Sequence, residues 1–313
     1  MAIADKCIVC GGALEAHFPE VRDPLTGETF SVVSCTQCNL GQTTPQPDDL
    51  GRYYGPRYYG NRHGLTLRHC ISRRLGFINA ALPDGEGRRL LDIGCADGSF
   101  LLEARQAGWD VTGTELDPLT ARQAGLDVRG EISELREGAP FDCITMWHTL
   151  EHMRDIPRML TNVAGLLKPE GRLIIAVPDF GGMQAQLFGP KWLHVDVPRH
   201  LYHFTAGSLR HALANAGFSV QRTWHQEFEY DLLGWSQSAL NYLMSEPNVF
   251  FDALTGKQGK TGGFARLCAC LLGALLTLLS LPALALGTLL GRGGSLIVVA
   301  APVNKSNQGE HVT

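Results

Sequence analysis

Residues 90–100 read Leu-Leu-Asp-Ile-Gly-Cys-Ala-Asp-Gly-Ser-Phe, an apolar run that passes into a turn containing two glycines. The run is typical of a buried parallel strand, and the turn is expected to lead into a helix. In an open α/β sheet, such a corner presents backbone amides and carboxylates to a ligand at the carboxyl edge. The stretch therefore predicts a cofactor-binding corner.

The spacing and charge of this turn disfavour a pyrophosphate ligand. A dinucleotide fold places its glycines as Gly-x-Gly-x-x-Gly, whereas the middle position here is Ala96. Asp92 and Asp97 add negative charge, which would repel phosphates but suit a ligand with an ammonium and a sulfonium. The pattern resembles motif I of the class I S-adenosylmethionine-dependent methyltransferases. The resemblance implies that the following residues bind S-adenosylmethionine: Asp92, Gly94, Cys95, Ala96 and Gly98.

Four further segments follow in the order expected of this family. A second strand ends in an acid 17 residues after Gly98, close to the interval for a ribose-binding carboxylate. Residues 127–132 resemble the third strand and the loop over the adenine, 141–148 the fourth strand, and 166–178 the fifth. Glu170 departs from the family's usual Pro-Gly-Gly turn. The cofactor-binding residues implied by these segments are Glu115, Leu116, Glu131, Ile132 and Trp147. Another nucleotide-binding α/β domain is the alternative, since fold alone does not fix function.

The predicted fold class is α/β, with a Rossmann-like sheet of seven strands. Residues 217–224 are a plausible sixth strand, and 295–301 would form the antiparallel seventh that closes the sheet in this family. The predicted parts are a zinc ribbon (1–45), a tyrosine-rich linker and helix (46–86), the methyltransferase domain (87–263), a hydrophobic helical hairpin (264–292), the final strand (293–302) and a disordered tail (303–313). The linker tyrosines either dock the ribbon or form a lid over the cofactor.

Two Cys-x-x-Cys pairs, separated by 24 residues, precede the sheet. Two residues between thiolates let both sulfurs reach one ion, and the second pair completes a tetrahedron. The predicted zinc ligands are Cys7, Cys10, Cys35 and Cys38. A closed site of this kind is structural, because no coordination position stays open. Two redox-active dithiols are the alternative, although neither pair precedes a helix in a βαβ unit.

Histidines concentrate where the acceptor of the methyl group would bind. Six of the 11 histidines lie between residues 148 and 211, after the fourth and fifth strands. Methylation of a hydroxyl needs a positioned acceptor and a base, and imidazole titrates in the useful range. We expect His200 to be the base, with His148, His194 and Asp196 as neighbours and Arg199 as an acceptor anchor. A catalytic metal bound by this cluster, or histidines that only hold the loop together, are the alternatives.

The segment from Leu267 to Gly291 contains 25 residues without a charge, which is long enough to span a bilayer. Since a sheet strand follows, both of its ends must lie on one side of a membrane. Pro282 then indicates a break between two helices of a monotopic or re-entrant hairpin. A buried helical pair or a dimer interface is the alternative.

The composition sets the remaining expectations. The 313 residues are 44% hydrophobic with a net charge of −4, which disfavours a nucleic-acid partner. No apolar run of a signal peptide opens the sequence, so the catalytic domain is expected in the cytoplasm, at the inner face of a membrane. The oligomeric state is left open.

Together these patterns predict methyl transfer, to an oxygen or less readily a carbon, of a lipid-linked glycan, glycolipid or isoprenoid quinol. The acceptor motifs, such as His-x-Leu-Glu-His, resemble polyprenyl-quinol methylases and enzymes of surface-glycan pathways. Methylation of a soluble nucleotide-linked sugar or small metabolite is one alternative. A membrane-docked scaffold that binds the cofactor without turning it over is another.

Overall fold

The computed structural model of the chain describes residues 6–54, 66–83, 85–135, 140–257 and 261–303. Its strands are β1 (Leu14–Arg22), β2 (Thr29–Cys35), β3 (Gly41–Thr44), β4 (Arg89–Ile93), β5 (Asp110–Thr114), β6 (Asp127–Arg129), β7 (Phe141–Trp147), β8 (Leu167–Pro178), β9 (Tyr202–His203), β10 (Phe218–Trp224) and β11 (Ser295–Pro302). Its helices are α1 (Leu67–Ala81), α2 (Ser99–Gln106), α3 (Leu119–Gln123), α4 (Ile156–Leu166), α5 (Met183–Phe188), α6 (Ala206–Asn215), α7 (Phe228–Leu243), α8 (Val249–Leu254), α9 (Gly263–Leu279) and α10 (Leu281–Leu289).

The larger sheet has seven strands in the order β10-β11-β8-β7-β4-β5-β6. Five of them run parallel, and β11 lies antiparallel between β8 and β10. The predicted seven-stranded α/β fold with an antiparallel final strand is confirmed. The sequence carries this signal because strands buried on both faces read as continuous apolar runs, as residues 296–300 of β11 do.

The register of this sheet brings the ends of its central strands together. Ile93 at the end of β4 pairs with Thr114 at the end of β5, and Asp92 pairs with Thr145 of β7. The turn after β4, the acid after β5 and the residues after β7 therefore share one edge.

A second, four-stranded sheet has the order β1-β2-β3-β9. Its first three strands come from the cysteine-rich amino-terminal part, whereas β9 comes from the histidine-rich loop after β8. A Cβ atom on Gly41 would lie 2.9 Å from the Cβ of His203, so this pairing needs a glycine in β3. The ribbon is thus joined by backbone hydrogen bonds to the loop that carries the predicted acceptor residues.

The uncharged segment near the carboxyl terminus forms two helices, α9 and α10, whose axes differ by 43°. The predicted hairpin is wrong, because the chain bends here without reversing. Backbone bonds of the helical type run from Ser280 to Leu276 and from Leu284 to Ser280, both at 2.9 Å. Pro282 lies in the first turn of α10, where its missing N–H is tolerated. Among the described helices, no single one is long and apolar enough to cross a membrane. Helices α9 and α10 reach the necessary length and apolar composition only when they are counted together.

Small residues line the inner face of α9, and leucines line its outer face. A Cβ atom on Gly273 would lie 2.4 Å from the Phe250 ring of α8, which shows how closely the two helices pack. The exposed large apolar side chains of the pair are Phe264, Leu267, Leu271, Leu272, Leu275, Leu278, Leu279, Leu281, Leu286 and Leu289.

The helix predicted from about residue 65 to 82 is present as α1. Two predicted features lie outside the described residues: Tyr58 and Tyr59 of the linker, and residues 304–313 of the tail.

Candidate active site

The turn between β4 and α2 has a backbone that only certain residues adopt readily. Gly94, Ala96 and Gly98 have φ values of +78°, +50° and +80°. A Cβ atom on Gly94 would lie 2.5 Å from Thr149 Oγ1, and one on Gly98 would lie 2.3 Å from a methyl of Leu126. Ala96 carries a side chain, yet its backbone lies in the left-handed region, which costs a residue with a Cβ atom about 1 kcal/mol. The surrounding structure therefore holds this turn in one conformation.

Glu115 closes on this turn from the end of β5. Its carboxylate accepts hydrogen bonds from the backbone N–H of Ala96 at 2.8 Å and of Leu116 at 2.9 Å. The Leu116 side chain beside it is 88% exposed, an apolar group at the edge where a ligand's ring would lie. Glu131 (exposed) and Ile132 (half-buried) follow β6 at the same edge. The structure thus brings these four predicted residues to the corner.

Asp92 is the buried carboxyl of the corner. It is 3% exposed and accepts a hydrogen bond from Thr145 Oγ1 at 2.6 Å. Burial raises its pKa to about 7, although the Thr145 bond and the nearby Arg74 pull in the other direction. A cationic group bound here would favour the ionised carboxylate. Two carboxylates flanking a glycine turn fit a ligand with an ammonium, a sulfonium and ribose hydroxyls, which is the chemistry of S-adenosylmethionine.

Cys95 and Trp147, predicted to contact the cofactor, have side chains in the core. Cys95 contributes its N–H to the turn, donating to the carbonyl of Thr114 at 3.0 Å, but its thiol is buried. Trp147 packs against Phe100, and the guanidinium of Arg74 lies 5.0 Å from its ring centre. We therefore assign both side chains to packing behind the corner.

A cavity of about 490 Å³ lies beyond the carboxyl ends of β7 and β8. All five predicted catalytic residues line it, together with two neighbours of the first histidine. These are His148, Glu151, His152, His194, Asp196, Arg199 and His200. The tertiary structure thus gathers residues from two distant loops around one space.

His148 is the charged histidine of the cavity. Its Nε2 lies 2.5 Å from Glu227 Oε2, and its ring stacks on Tyr230 with centroids 4.3 Å apart. Burial alone would lower its pKa, but Glu227 and Glu151 outweigh burial and raise it to about 9. An imidazolium at neutral pH cannot accept a proton, so His148 contributes positive charge. Its φ of +50° is unusual for a residue with a side chain and is typical of functional positions.

The other histidines of the cavity are held by backbone carbonyls. His200 Nδ1 lies 2.9 Å from the carbonyl oxygen of His194, and His152 Nδ1 lies 2.9 Å from that of Arg199. His194 Nε2 is 3.3 Å from the carbonyl oxygen of Tyr230. Burial lowers the pKa of His152 and of His194 to about 4, and the neighbouring histidines add to the effect. These two imidazoles are neutral at physiological pH.

Arg199 has a different role from the predicted acceptor anchor. Its guanidinium is 1% exposed and forms ion pairs with Asp23 at 2.8 Å and with Asp196. It also donates to the carbonyl of Tyr53 at 3.3 Å. Asp23 belongs to the ribbon and is fully buried. Arg199 therefore ties the ribbon to the histidine-rich loop, and Asp196 serves the same ion pair.

Replacing Arg199 by alanine should destabilise the protein by about 3–5 kcal/mol, because it leaves the buried Asp23 carboxylate and the half-buried Asp196 carboxylate without their cation. Urea unfolding followed by circular dichroism measures this change. Arg210→Ala, at an exposed position of α6, is the control and should change stability by less than about 0.5 kcal/mol. Equal stability of the two variants would show that the ion pair does not hold the ribbon in place.

The four ribbon cysteines converge as predicted. Cys7 and Cys38 Sγ lie 3.6 Å apart, Cys10 and Cys35 Sγ lie 3.3 Å apart, and all four sulfurs are within 4.8 Å of one another. Four thiolates around a tetrahedral zinc at about 2.3 Å would be separated by roughly 3.8 Å, so this arrangement fits the ion. A Cβ atom on Gly12 would lie 2.9 Å from Cys35 Sγ, which explains the glycine after the first pair.

The sequence interpretation missed three residues that contact the side chains lining the cavity. Glu227, just before α7, and Tyr230 of α7 contact His148, and Asp23 of the ribbon contacts Arg199. The only signal for Glu227 was a run of acids at the start of an otherwise apolar helix. Asp23 gave none, because its carboxylate also accepts hydrogen bonds within its own turn, from Thr26.

Comparison with known proteins gives a family match. A family model described as a methyltransferase domain matches residues 67–223, just over half of the chain. A ubiquinone biosynthesis O-methyltransferase of Chelativorans sp. (strain BNC1) is 28% identical over 168 residues, which are 48% of this chain and 66% of that protein. One of Maricaulis maris (strain MCS10) is 26% identical over 202 residues, 55% of this chain and 79% of that protein. The chain thus spans slightly less than two thirds of the Chelativorans relative.

Solved structures of similar proteins were also found. An S-adenosylmethionine-dependent methyltransferase from Mesorhizobium loti has a TM-score of 0.43 and 19% identity, covering 72% of this chain and 96% of its own. A putative sarcosine dimethylglycine methyltransferase from Galdieria sulphuraria has a TM-score of 0.48 and 16% identity, covering 82% and 99%.

Proposed function

Because the chain belongs to the class I S-adenosylmethionine-dependent methyltransferases, we propose that it methylates an oxygen of a membrane-associated acceptor, such as a lipid-linked glycan, a glycolipid or an isoprenoid quinol. The bound cofactor would supply an electrophilic methyl group on its sulfonium. Asp92 and Glu115 would hold its ammonium and its ribose at the corner after β4. The chain's own remaining task is to position and activate the acceptor hydroxyl.

The cavity beyond β7 and β8 supports an oxygen acceptor. It is walled by neutral imidazoles and by carboxylates, groups that orient a hydroxyl and assist loss of its proton. His200 is the residue we propose to activate the hydroxyl, since its Nδ1 is fixed on a carbonyl and its Nε2 lone pair is left for other partners. His148, as a cation, would stabilise negative charge that develops on the oxygen.

One observation carries the proposal that the acceptor is membrane-associated: residues that line the cavity lie next to the exposed leucines of α9 and α10, which we call the leucine face. Phe251 and Leu254 of α8 and Arg266 of α9 line the cavity, while the neighbouring Leu267 and Leu271 of α9 are more than half exposed. Ten exposed large apolar side chains on one pair of helices are unusual on a monomer. Arg266 and Arg292 bracket the uncharged segment in the sequence, and cations at such positions favour an anionic lipid surface. An acceptor anchored in lipid would thus reach the cavity without leaving the membrane.

The curated relatives are consistent with this acceptor class, since their names describe O-methylation in ubiquinone biosynthesis. We further propose that Cys7, Cys10, Cys35 and Cys38 bind a structural zinc. The ion would stabilise the ribbon sheet, which β9 joins to the acceptor loop.

The decisive experiment uses methyl-labelled S-adenosylmethionine with a membrane extract and with a soluble metabolite extract, followed by phase partition. Label in the organic phase supports a lipid-linked acceptor. Label confined to the aqueous phase would mean that the acceptor is a soluble sugar or metabolite. The leucine face would then be a protein–protein interface. An absence of transfer to either extract, with cofactor binding intact, would favour the non-catalytic scaffold.

The double variant Leu271→Glu/Leu275→Glu should bind vesicles of phosphatidylglycerol and phosphatidylethanolamine at least about 100-fold more weakly than the unaltered protein. Each leucine inserted into lipid contributes about 1.5–3 kcal/mol, so losing two weakens partition by at least this factor. Vesicle cosedimentation measures the change. Leu119→Glu, equally exposed but on α3, is the control. If the unaltered protein does not bind vesicles and elutes as a dimer in size-exclusion chromatography, the leucine face is a contact between two copies of the chain.

A further inference from the structure

Glu151 is a buried carboxylate without a hydrogen-bond donor. Its side chain is 1% exposed, and among the described residues neither of its oxygens accepts a hydrogen bond. Its ion-pair neighbour among the described residues is His148, whose Nδ1 lies 3.6 Å from Oε1, beyond hydrogen-bond distance. Burying a carboxylate in this way is strongly unfavourable unless a cation or donors compensate it. His148 is already bonded to Glu227 at 2.5 Å, so its charge is shared between two carboxylates and Glu151 keeps two oxygens without a hydrogen-bond donor.

Two imidazoles beside Glu151 are oriented as metal ligands are. His152 and His200 each place Nδ1 2.9 Å from a backbone carbonyl oxygen. Because a carbonyl only accepts, Nδ1 carries the hydrogen in both rings, and each Nε2 keeps a free lone pair. Metal-binding histidines are fixed in their tautomer by this kind of outer bond. Tyr54 OH, 2.9 Å from His152 Nδ1, adds a second contact on the same side of that ring.

The three residues are close enough to share one ion. One ligand atom from each of Glu151, His152 and His200 lies within 4.8 Å of the others. Two imidazole nitrogens and one carboxylate oxygen suit zinc and neighbouring divalent transition metals. Three protein ligands leave one tetrahedral position open, which is the pattern of catalytic sites. All three residues line the 490 Å³ cavity, so an ion bound by them would border the space proposed for the acceptor.

We propose that Glu151, His152 and His200 bind a divalent transition-metal ion, zinc in the first instance, whose open position takes the hydroxyl oxygen of the acceptor. The role of this ion rests on the proposed methyl transfer to oxygen, but its binding does not. A bound cation lowers the pKa of a coordinated hydroxyl, so the O–H proton leaves to water. The O–C bond then forms as the sulfonium S–C bond breaks, and the thioether leaves uncharged. His200 thus activates the acceptor as a ligand, and the acceptor needs a hydroxyl accessible to a metal.

The test measures metal binding without cofactor or acceptor. The full-length protein is loaded with one zinc equivalent to fill the cysteine site, dialysed, and titrated with zinc chloride by calorimetry, with metal content read by mass spectrometry. The unaltered protein should bind a second equivalent. Glu151→Gln and His200→Ala should each weaken this second event by at least about 10-fold and reduce the metal content to one per chain. His211→Ala, exposed on α6, is the matched control and should keep two.

Glu151→Gln keeps the size of the side chain, so thermal unfolding of this variant checks that a lost event is not lost structure. A single equivalent in the unaltered protein would overturn the inference. The inference would also be overturned if Glu151→Gln and His200→Ala both bound the second zinc ion with unchanged affinity. Failure of methyl transfer alone would leave the site standing, whereas full methyl transfer after the second ion is removed would overturn its role while leaving the proposed function intact.

Discussion

A Glu115→Ala variant is expected to bind S-adenosylmethionine about 100-fold more weakly and to lose methyl transfer at ordinary cofactor concentrations. Glu115 follows β5 directly and contacts the glycine turn, where its carboxylate is proposed to accept hydrogen bonds from the ribose hydroxyls. Two hydrogen bonds to a charged group contribute about 1.5 kcal/mol each at the lower end, which corresponds to this factor. Calorimetric titration with S-adenosylmethionine measures the affinity. Glu115→Gln keeps one acceptor oxygen, so its affinity for S-adenosylmethionine should lie between those of the unaltered protein and of Glu115→Ala.

The control for this variant is Asp110→Asn at the other end of the same strand. Asp110 begins β5, is exposed, and lies far from the carboxyl edge. Asp110→Asn tests whether the loss of an acidic charge at or next to β5 is enough to disturb the sheet. If Glu115→Ala and Asp110→Asn bind the cofactor equally well, the ribose does not lie at the end of β5 and the assignment of the corner fails.

A His200→Ala variant is expected to lower the turnover number by about 100-fold to 10,000-fold, with unchanged affinity for S-adenosylmethionine. This is the range for losing a residue that activates an acceptor hydroxyl. His200 lines the acceptor cavity, whereas the cofactor corner is formed by the turn after β4. Turnover is measured with labelled cofactor, and cofactor affinity by calorimetry, on the same preparation.

His211→Ala is again the matched control, because it removes an exposed histidine from the neighbouring helix α6. His148→Ala and Asp196→Ala extend the test to two other predicted residues of the cavity. Turnover equal to that of the unaltered protein in all three cavity variants would place the chemistry elsewhere. A loss of cofactor affinity in His200→Ala would instead mean that the cavity and the corner are one site.

The sheet and its cofactor corner were predictable because their signals are local. Each central strand is an apolar run that ends in a polar turn, and Gly94 and Gly98 are required by the backbone of their own turn. Helix α1 was expected from about residue 65 to 82 and runs from residue 67 to 81. The side-chain packing of Trp147 was not predictable, since an aromatic residue at a strand end fits a ligand and a core equally well.

The helical segment shows how a correct local signal gave a wrong tertiary expectation. The sequence places an apolar segment with a break at Pro282, and both features are present. Whether a proline bends or reverses the chain depends on what the flanking helices pack against. Gly273 of α9 fits against Phe250 of α8, and the chain continues into α10 with a bend of 43°.

By itself, the sequence determined the seven-stranded fold, the cofactor-binding corner and the cysteine ligands of the ribbon. Each of these features is marked by a short motif or an apolar run, whose residues lie close together in the chain. Only the tertiary structure decided how the acceptor cavity is built. Arg199 pairs with Asp23 across 176 residues, and Glu151 meets His200 through two loops that the sheet edge brings together. Contacts of that separation leave no periodic pattern in a single sequence, so the role of each polar residue there depends on which partner the fold places beside it.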